Sequence, residues 1–358
     1  MFKTLKINKF KHSFQISPGR SGNFKFLIIF IVFLYSIFQI PNSIYAQSLS
    51  LGLYPPLLEV TLKPGKSITQ VYKLTNNGDV QLNLITSLRP FVPADTQGGV
   101  DIQETLSNSQ VLGNNYFSFQ NANLELGQRF TLKSGQEQQV VLKIKVPQDA
   151  PEGDYYRTLL FETLPDDNLS NSSTAKVRLG SNILLTVSQS GEPELNSEIA
   201  EFFIENCKFK ISNSCVIDSF TKPQISLKIR NTGTAFFKPQ GTITSKGLFG
   251  PKTTLILLPE NILAGFSRQI RCATLSPDEA AQSRSGGTPV DCQLPNSILI
   301  GPYQIRLGFD LNQDGTRFTG NFLLIAFPFK LFFGLLVLFL LFLLLKTKLV
   351  RQQPQQPS

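Results

Sequence analysis

"LEVTLKPGKSITQVYKLTNNGD", residues 58–79, sets strand against turn twice within one phrase. Leu58, Val60 and Leu62 alternate with Glu59, Thr61 and Lys63, the period-two pattern of a strand with one buried face. Pro64-Gly65 ends that strand, because proline fixes φ and donates no hydrogen bond while glycine tolerates the turn. A second β-rich run, 68–75, stops at Asn76-Asn77-Gly78-Asp79, and Val80, Leu82 and Leu84 then resume the alternation. The phrase predicts hairpins.

The phrase also recurs. "KLTNNGD" at 73–79 matches "KIRNTGT" at 228–234 as Lys, aliphatic, any, Asn, any, Gly. "GDYYRTLLFE" at 153–162 matches "GPYQIRLGFD" at 301–310 as Gly, any, Tyr, three residues, Leu, any, Phe, acid. Between the motifs each copy has one more turn and strand, "LKSGQEQQVVLKIKVP" at 132–147 and "ILAGFSRQIRC" at 262–272. The second copy is longer here by a Ser/Gly/Pro-rich loop, "CATLSPDEAAQSRSGGTPVDC", flanked by Cys272 and Cys292. Short strands, frequent turns and no long amphipathic helical pattern predict an all-β chain of two tandem immunoglobulin-like β-sandwiches, each large enough for its own core.

The ends of the chain predict its location. Residues 1–26 carry Lys3, Lys6, Lys9, Lys11, Arg20 and Lys25 with no acid, followed by "FLIIFIVFLYSIFQI" and "PNSIYAQ". This is the order of a secretory signal peptide, 1–46, cleaved after Ala46, or of an uncleaved signal anchor. "FLLIAFPFKLFFGLLVLFLLFLLL", 322–345, is long enough to cross a hydrocarbon core of about 30 Å as a helix. Pro328 and Lys330 read as features of its outer boundary. The tail, 346–358, carries Lys346, Lys348 and Arg351 without an acid and is expected in the cytoplasm, which leaves the body extracellular or periplasmic. The body then divides into a first sandwich, 47–190, and a second, 191–321, with the insertion at 272–292. Their junction is "SQSGEPELNS", 188–197, where apolar periodicity lapses.

A net charge of +9 would suggest an anionic partner. The nine basic residues of the leader and tail account for all of it, and the body balances its remaining 25 bases against 25 acids. The basic balance is therefore orientation information, and nucleic acid has no support as a partner. The four cysteines, Cys207, Cys215, Cys272 and Cys292, lie in the exported body, where an oxidising exterior permits disulfides. Four cysteines allow three connectivities. Sequence neighbours are favoured, because 272–292 closes the insertion and "CKFKISNSC" can close a small hairpin.

Little in the body suggests catalysis. The one histidine, His12, lies in the leader, so the body has no Ser-His or Cys-His pair and no imidazole ligand. Asp166-Asp167 and Asp278-Glu279 sit in polar, loop-like segments and read as solvated. Asp310, Asn312 and Asp314 have the early spacing of a calcium loop, but Asn321 stands where a bidentate Glu would be needed. The same residues form a hairpin turn at Asp314-Gly315, the favoured reading. Tyr155 and Tyr303 recur in register with Leu and Phe and are expected in the core, as is one ring of Phe236-Phe237. No enzyme and no cofactor is expected.

A signal peptide, a domain opening with "PGKSITQVYKLTN" and closing with "VPQDAPEGDYYRTLLFE", a second sandwich and a single C-terminal span with a basic tail together resemble the WxL-interacting proteins of bacterial cell surfaces. The resemblance covers nearly the whole chain but rests mostly on fold-making turns. It implies a first domain that contacts peptidoglycan and a second that contacts another protein, with no site residues to carry over. The four cysteines and the insertion depart from that pattern. The expected function is a membrane-anchored, non-catalytic binding or adhesion protein with a cell-wall polymer or surface protein as partner. The alternative is a chaperone-like assembly factor that offers an edge strand to an exported subunit.

Overall fold

The computed structural model describes residues 49–104, 113–164, 176–248, 252–274, 292–294, 298–311 and 317–351. The expected signal peptide lies outside them, as do Asp166, Asp167, Asp278 and Glu279. Alternating residues carry most of the described chain into strands. The first ten are β1 (Leu51–Tyr54), β2 (Leu57–Leu62), β3 (Ser67–Asn76), β4 (Leu82–Pro93), β5 (Val100–Ile102), β6 (Phe117–Phe119), β7 (Arg129–Leu132), β8 (Glu137–Lys145), β9 (Gly153–Thr163) and β10 (Arg178–Val187). Then come β11 (Ser197–Ile204), β12 (Phe209–Ile211), β13 (Ser214–Asp218), β14 (Ile225–Asn231) and β15 (Gln240–Gly247). The last are β16 (Thr253–Leu257), β17 (Ser267–Gln269), β18 (Cys272–Thr274), β19 (Gly301–Asp310) and β20 (Arg317–Phe327), before one helix, α1 (Phe329–Arg351).

The strands form two pairs of sheets. In the N-terminal sandwich, β1-β3-β8-β6 faces β2-β10-β9-β4-β5, with β7 also paired to β4. Tyr72, Leu74 and Leu142 from the first sheet meet Leu84, Leu159, Phe161 and Ile183 from the second. In the C-terminal sandwich, β11-β14-β17 faces β12-β13-β20-β19-β15-β16-β18. Leu227 and Ile229 there meet Ile217, Ile243, Ile305, Phe309 and Leu324. In each, an early strand lies parallel to the last: β2 beside β10, and β13 beside β20.

The sequence repeat has a physical cause. Asn76 is fully buried; its Nδ2 donates to the carbonyls of Val80 (2.7 Å), Leu132 (3.2 Å) and Lys133 (3.1 Å), and its Oδ1 accepts from Gly78 N–H. Asn231, also fully buried, donates to Ala235 and Ile262, both at 2.9 Å, and accepts from Gly233 N–H. The backbone completes the match: Gly135 N–H donates to Asn76 O, and Gly265 N–H to Asn231 O. Each asparagine thus ties its own turn to a distant one, which is why an amide recurs where a strand pattern would place an apolar residue. The second motif recurs for packing, since Phe161 and Phe309 occupy the same place in β9 and β19 and both are fully buried.

The disulfides join sequence neighbours, Cys207 to Cys215 and Cys272 to Cys292. Cys215, Cys272 and Cys292 are buried in the C-terminal core, so both bridges fasten surface segments to it. Residues 275–291 of the insertion lie outside the described residues.

The start of the apolar helix corrects the sequence reading. Residues 322–327 belong to β20, paired along β19, with Phe322, Leu324 and Ala326 buried and Leu323 and Phe327 exposed. The alternation is that of a strand, hidden in an apolar run because β20 is apolar on both faces near its end. Pro328 breaks it, and the candidate membrane span runs over Phe329–Thr347, exposed over nearly all its length, rather than 322–345. The second sandwich accordingly extends past 321, and α1 continues to Arg351.

Candidate functional site

The last part of β10 is buried on both faces. Ile183, Leu185 and Val187 enter the N-terminal core, yet Leu184 and Thr186, pointing the other way, are buried as well. A strand buried on both faces is covered on both, and the outer cover is the C-terminal sandwich. Glu59, on the face of β2 away from the core, accepts from Lys238 Nζ at 2.6 Å and Asn261 Nδ2 at 2.5 Å. Asp154 and Tyr156 of β9 make the second tie: Asp154 accepts from the Thr186 hydroxyl (2.6 Å), the Tyr156 hydroxyl and the Phe236 amide (2.6 Å). Tyr156 in turn accepts from Ala264 N–H at 2.9 Å. A third tie joins the 94–99 loop to β17, with Gln269 N–H donating to Thr96 O at 2.7 Å and Arg268 to Gln97 O.

Beside these ties lies a cleft of ≈ 190 Å³, lined by both sandwiches. Leu57, Phe91, Pro93 and Leu184 form one wall; Leu263 and Phe266 form the other, with Asn261 and Arg268 among them. Leu57, Val100 and Phe266 are exposed at its margin. Asn261 Oδ1 and Arg268 Nε are buried without an intramolecular partner, although Asn261 Nδ2 and the Arg268 terminal nitrogens are engaged. Neither atom has surface in the cleft, whose walls are mainly apolar, the lining typical of a binding pocket.

The electrostatics follow from burial. Burial pushes the Asp154 carboxyl above its ordinary range, against the lowering effect of its bonds from Thr186, Tyr156 and Phe236. Burial and then the Asp154 charge push the Tyr156 phenol up, so it stays a neutral donor. Asp95, at the cleft margin, is held below its ordinary value by the amides of Gly99 and Gln97.

The residues singled out from sequence lie elsewhere. Asp310 ends β19, opposite Arg317 of β20; its calcium-loop companions Asn312 and Asp314 lie outside the described residues. No group of metal-ligating side chains occurs among the described residues. Tyr303 is buried, and Tyr155 packs on Tyr116 with ring centroids 5.3 Å apart. Phe237 is buried, while the half-buried Phe236 contributes its backbone to Asp154. Sequence reasoning missed Glu59, Asp154, Tyr156, Asn261 and Arg268. The one signal for them was the "NILLTV" run of β10, apolar on successive residues where a half-exposed strand would alternate.

No family model and no curated protein matches this chain. Among solved structures it is similar to the class 5 fimbriae chaperone CfaA, at 12% identity over 78% of this chain and 100% of that one, with a TM-score of 0.37. It is also similar to the YadV chaperone (10% identity, 76% and 98% covered, TM-score 0.32) and the E. coli chaperone DraB (11%, 76% and 98%, 0.32). These scores are low, and nothing about the site is carried over from them.

Proposed function

We propose that this chain is a membrane-anchored, non-catalytic assembly factor of the cell surface that holds a segment of an exported protein in the cleft between its sandwiches. The observation that carries this reading is the cleft between the sandwiches, walled by Leu57, Phe91, Pro93 and Leu184 on one side and Leu263 and Phe266 on the other, with Leu57, Val100 and Phe266 exposed at its margin. An apolar segment of a polypeptide suits these walls, with its side chains in the cleft and its backbone toward the margin. The exposed apolar α1 supplies the anchor, and acid-free basic segments beside both apolar runs support a body outside the membrane. A wall polymer is the competing partner for the first sandwich.

A photocrosslinking side chain at Val100, on the cleft margin, tests this against one at Val71, exposed on β3. In intact envelopes a protein adduct is expected at Val100, absent at Val71 and lost when Leu263→Arg charges the cleft. Adducts with peptidoglycan alone, or unchanged protein adducts in Leu263→Arg, would overturn the proposal.

A further inference from the structure

The end of the C-terminal sandwich next to α1 is unusually apolar for a surface. Phe327 pairs with Asp218 and Ala326 with Gly301, so the segments just beyond β13 and just before β19 arrive where the helix begins. Those segments are bonded there: Ser219 N–H donates to Phe327 O, and Leu299 N–H to Ser219 O. They present Phe220, Ile298 and Ile300, which with Phe209 and Phe327 are exposed by 39% to 65%. The Phe209 ring lies 6.1 Å from that of Phe329 in the first turn of α1, and Phe327 packs edge-on to Phe329 at 4.9 Å. The patch is continuous with the helix.

The charge around the patch has one sign. Residues 206–222 and 322–330 contain Lys208, Lys210, Lys222 and Lys330 against a single acid, Asp218. All four lysines are exposed, whereas Asp218 is buried and bonded to the amides of Phe220 and Lys330. Lys208 Nζ sits 5.4 Å over the Phe329 ring, the arrangement of a cation held beside an aromatic at a water–lipid boundary. Exposed aromatic and aliphatic side chains ringed by lysines match the interfacial zone of a bilayer, where apolar rings enter the acyl boundary and ammonium groups meet anionic headgroups.

We propose that this end of the C-terminal sandwich docks on the bilayer surface, with Phe209, Phe220, Ile298 and Ile300 inserted among headgroups and Lys208 and Lys210 against anionic lipid. The anchor is thereby a fixed mount, and the cleft is held at a set height above the membrane. The proposal rests on the anchored reading of α1.

The chain contains no tryptophan, so single substitutions report one position each. Full-length Phe220→Trp, Ile300→Trp, Val71→Trp and Leu338→Trp are reconstituted in vesicles of phosphatidylcholine with or without phosphatidylglycerol, containing lipids brominated at shallow or deep acyl carbons. Phe220→Trp and Ile300→Trp are expected to show blue-shifted emission, shallow quenching and loss of acrylamide access relative to Val71→Trp. This protection should weaken without phosphatidylglycerol and in Lys208→Glu/Lys210→Glu. Deep quenching at Leu338→Trp with solvent-like emission at both Phe220→Trp and Ile300→Trp overturns the docking alone. Absence of quenching at Leu338→Trp overturns the anchored reading and the docking with it.

Discussion

Replacing Asn76 or Asn231 by alanine tests the account of the repeat most directly. Each amide uses both N–H groups and its oxygen inside the protein, so each substitution removes three hydrogen-bond equivalents from a buried site. Asn76 Nδ2 has three carbonyl partners, but only two hydrogens to share among them. At about 1 kcal/mol net per bond the expected loss is about 3 kcal/mol at either position, before the desolvation cost of the abandoned carbonyls. Asn77→Ala, one residue away and exposed, should change stability by no more than about 0.5 kcal/mol. Equilibrium urea unfolding of the purified chain in mild detergent, followed by far-ultraviolet circular dichroism, measures all three. A loss below about 1 kcal/mol for both buried asparagines, or one no larger than that of Asn77→Ala, would refute the idea that the repeat encodes these ties.

Three further outcomes are expected. Asp154 is raised by burial, so between the ordinary carboxyl value and its own the folded chain keeps a proton the unfolded chain has released; stability therefore falls as pH rises through that window, and Asp154→Asn should remove this component from a pH series of unfolding midpoints. At Asp218, burial acts to raise the carboxyl, but the amides of Phe220 and Lys330 and the charges of Lys208 and Lys330 bring it below its ordinary value. Its contribution is complete above the unfolded pKa and is lost as pH falls through the lowered folded one, so Asp218→Asn should flatten the acid side of the unfolding curve. Opening the Cys272–Cys292 loop, of separation 20, by paired serine substitution should cost about 3 kcal/mol on the chain-entropy model, and opening Cys207–Cys215, of separation 8, about 2.5 kcal/mol; equal midpoints with and without the bridges would reject this.

Much of the fold was legible because its signals are local. Alternation at Leu58, Val60 and Leu62, the turn at Pro64-Gly65 and the paired Asn-Gly motifs depend only on neighbours in sequence, and strand and turn lie where they were expected. The expected hairpins do not form, because β2 pairs with β10, β3 with β1 and β8, and β4 with β5, β7 and β9, so both turns carry the chain from one sheet to the other. Asn76 and Asn231 were visible as a repeat but not as buried residues, since their partners at Leu132 and Ile262 are remote in sequence. The first six residues of the expected span were misread because β20 enters the helix through an unbroken apolar run, and hydropathy alone cannot separate a strand apolar on both faces from a helix. The joint was illegible for another reason. Glu59 reads as solvated in its own strand, and only the fold of the other sandwich brings Lys238 and Asn261 to it.

The single residue between β20 and α1 also determines how the protein bears mechanical load. A pull on α1 against the body enters through Pro328 into β20, which is flanked by β13 over Leu323–Phe327 and by β19 over Arg317–Ala326. Hydrogen bonds between strands run across the strand direction, so this tension shears both ladders at once instead of peeling one bond after another. In an edge strand such as β12, which has β13 on one side alone, the same tug would load a single ladder. Single-molecule pulling from α1 should therefore meet a higher rupture force than pulling from a handle at Ile211, and equal forces would contradict this picture.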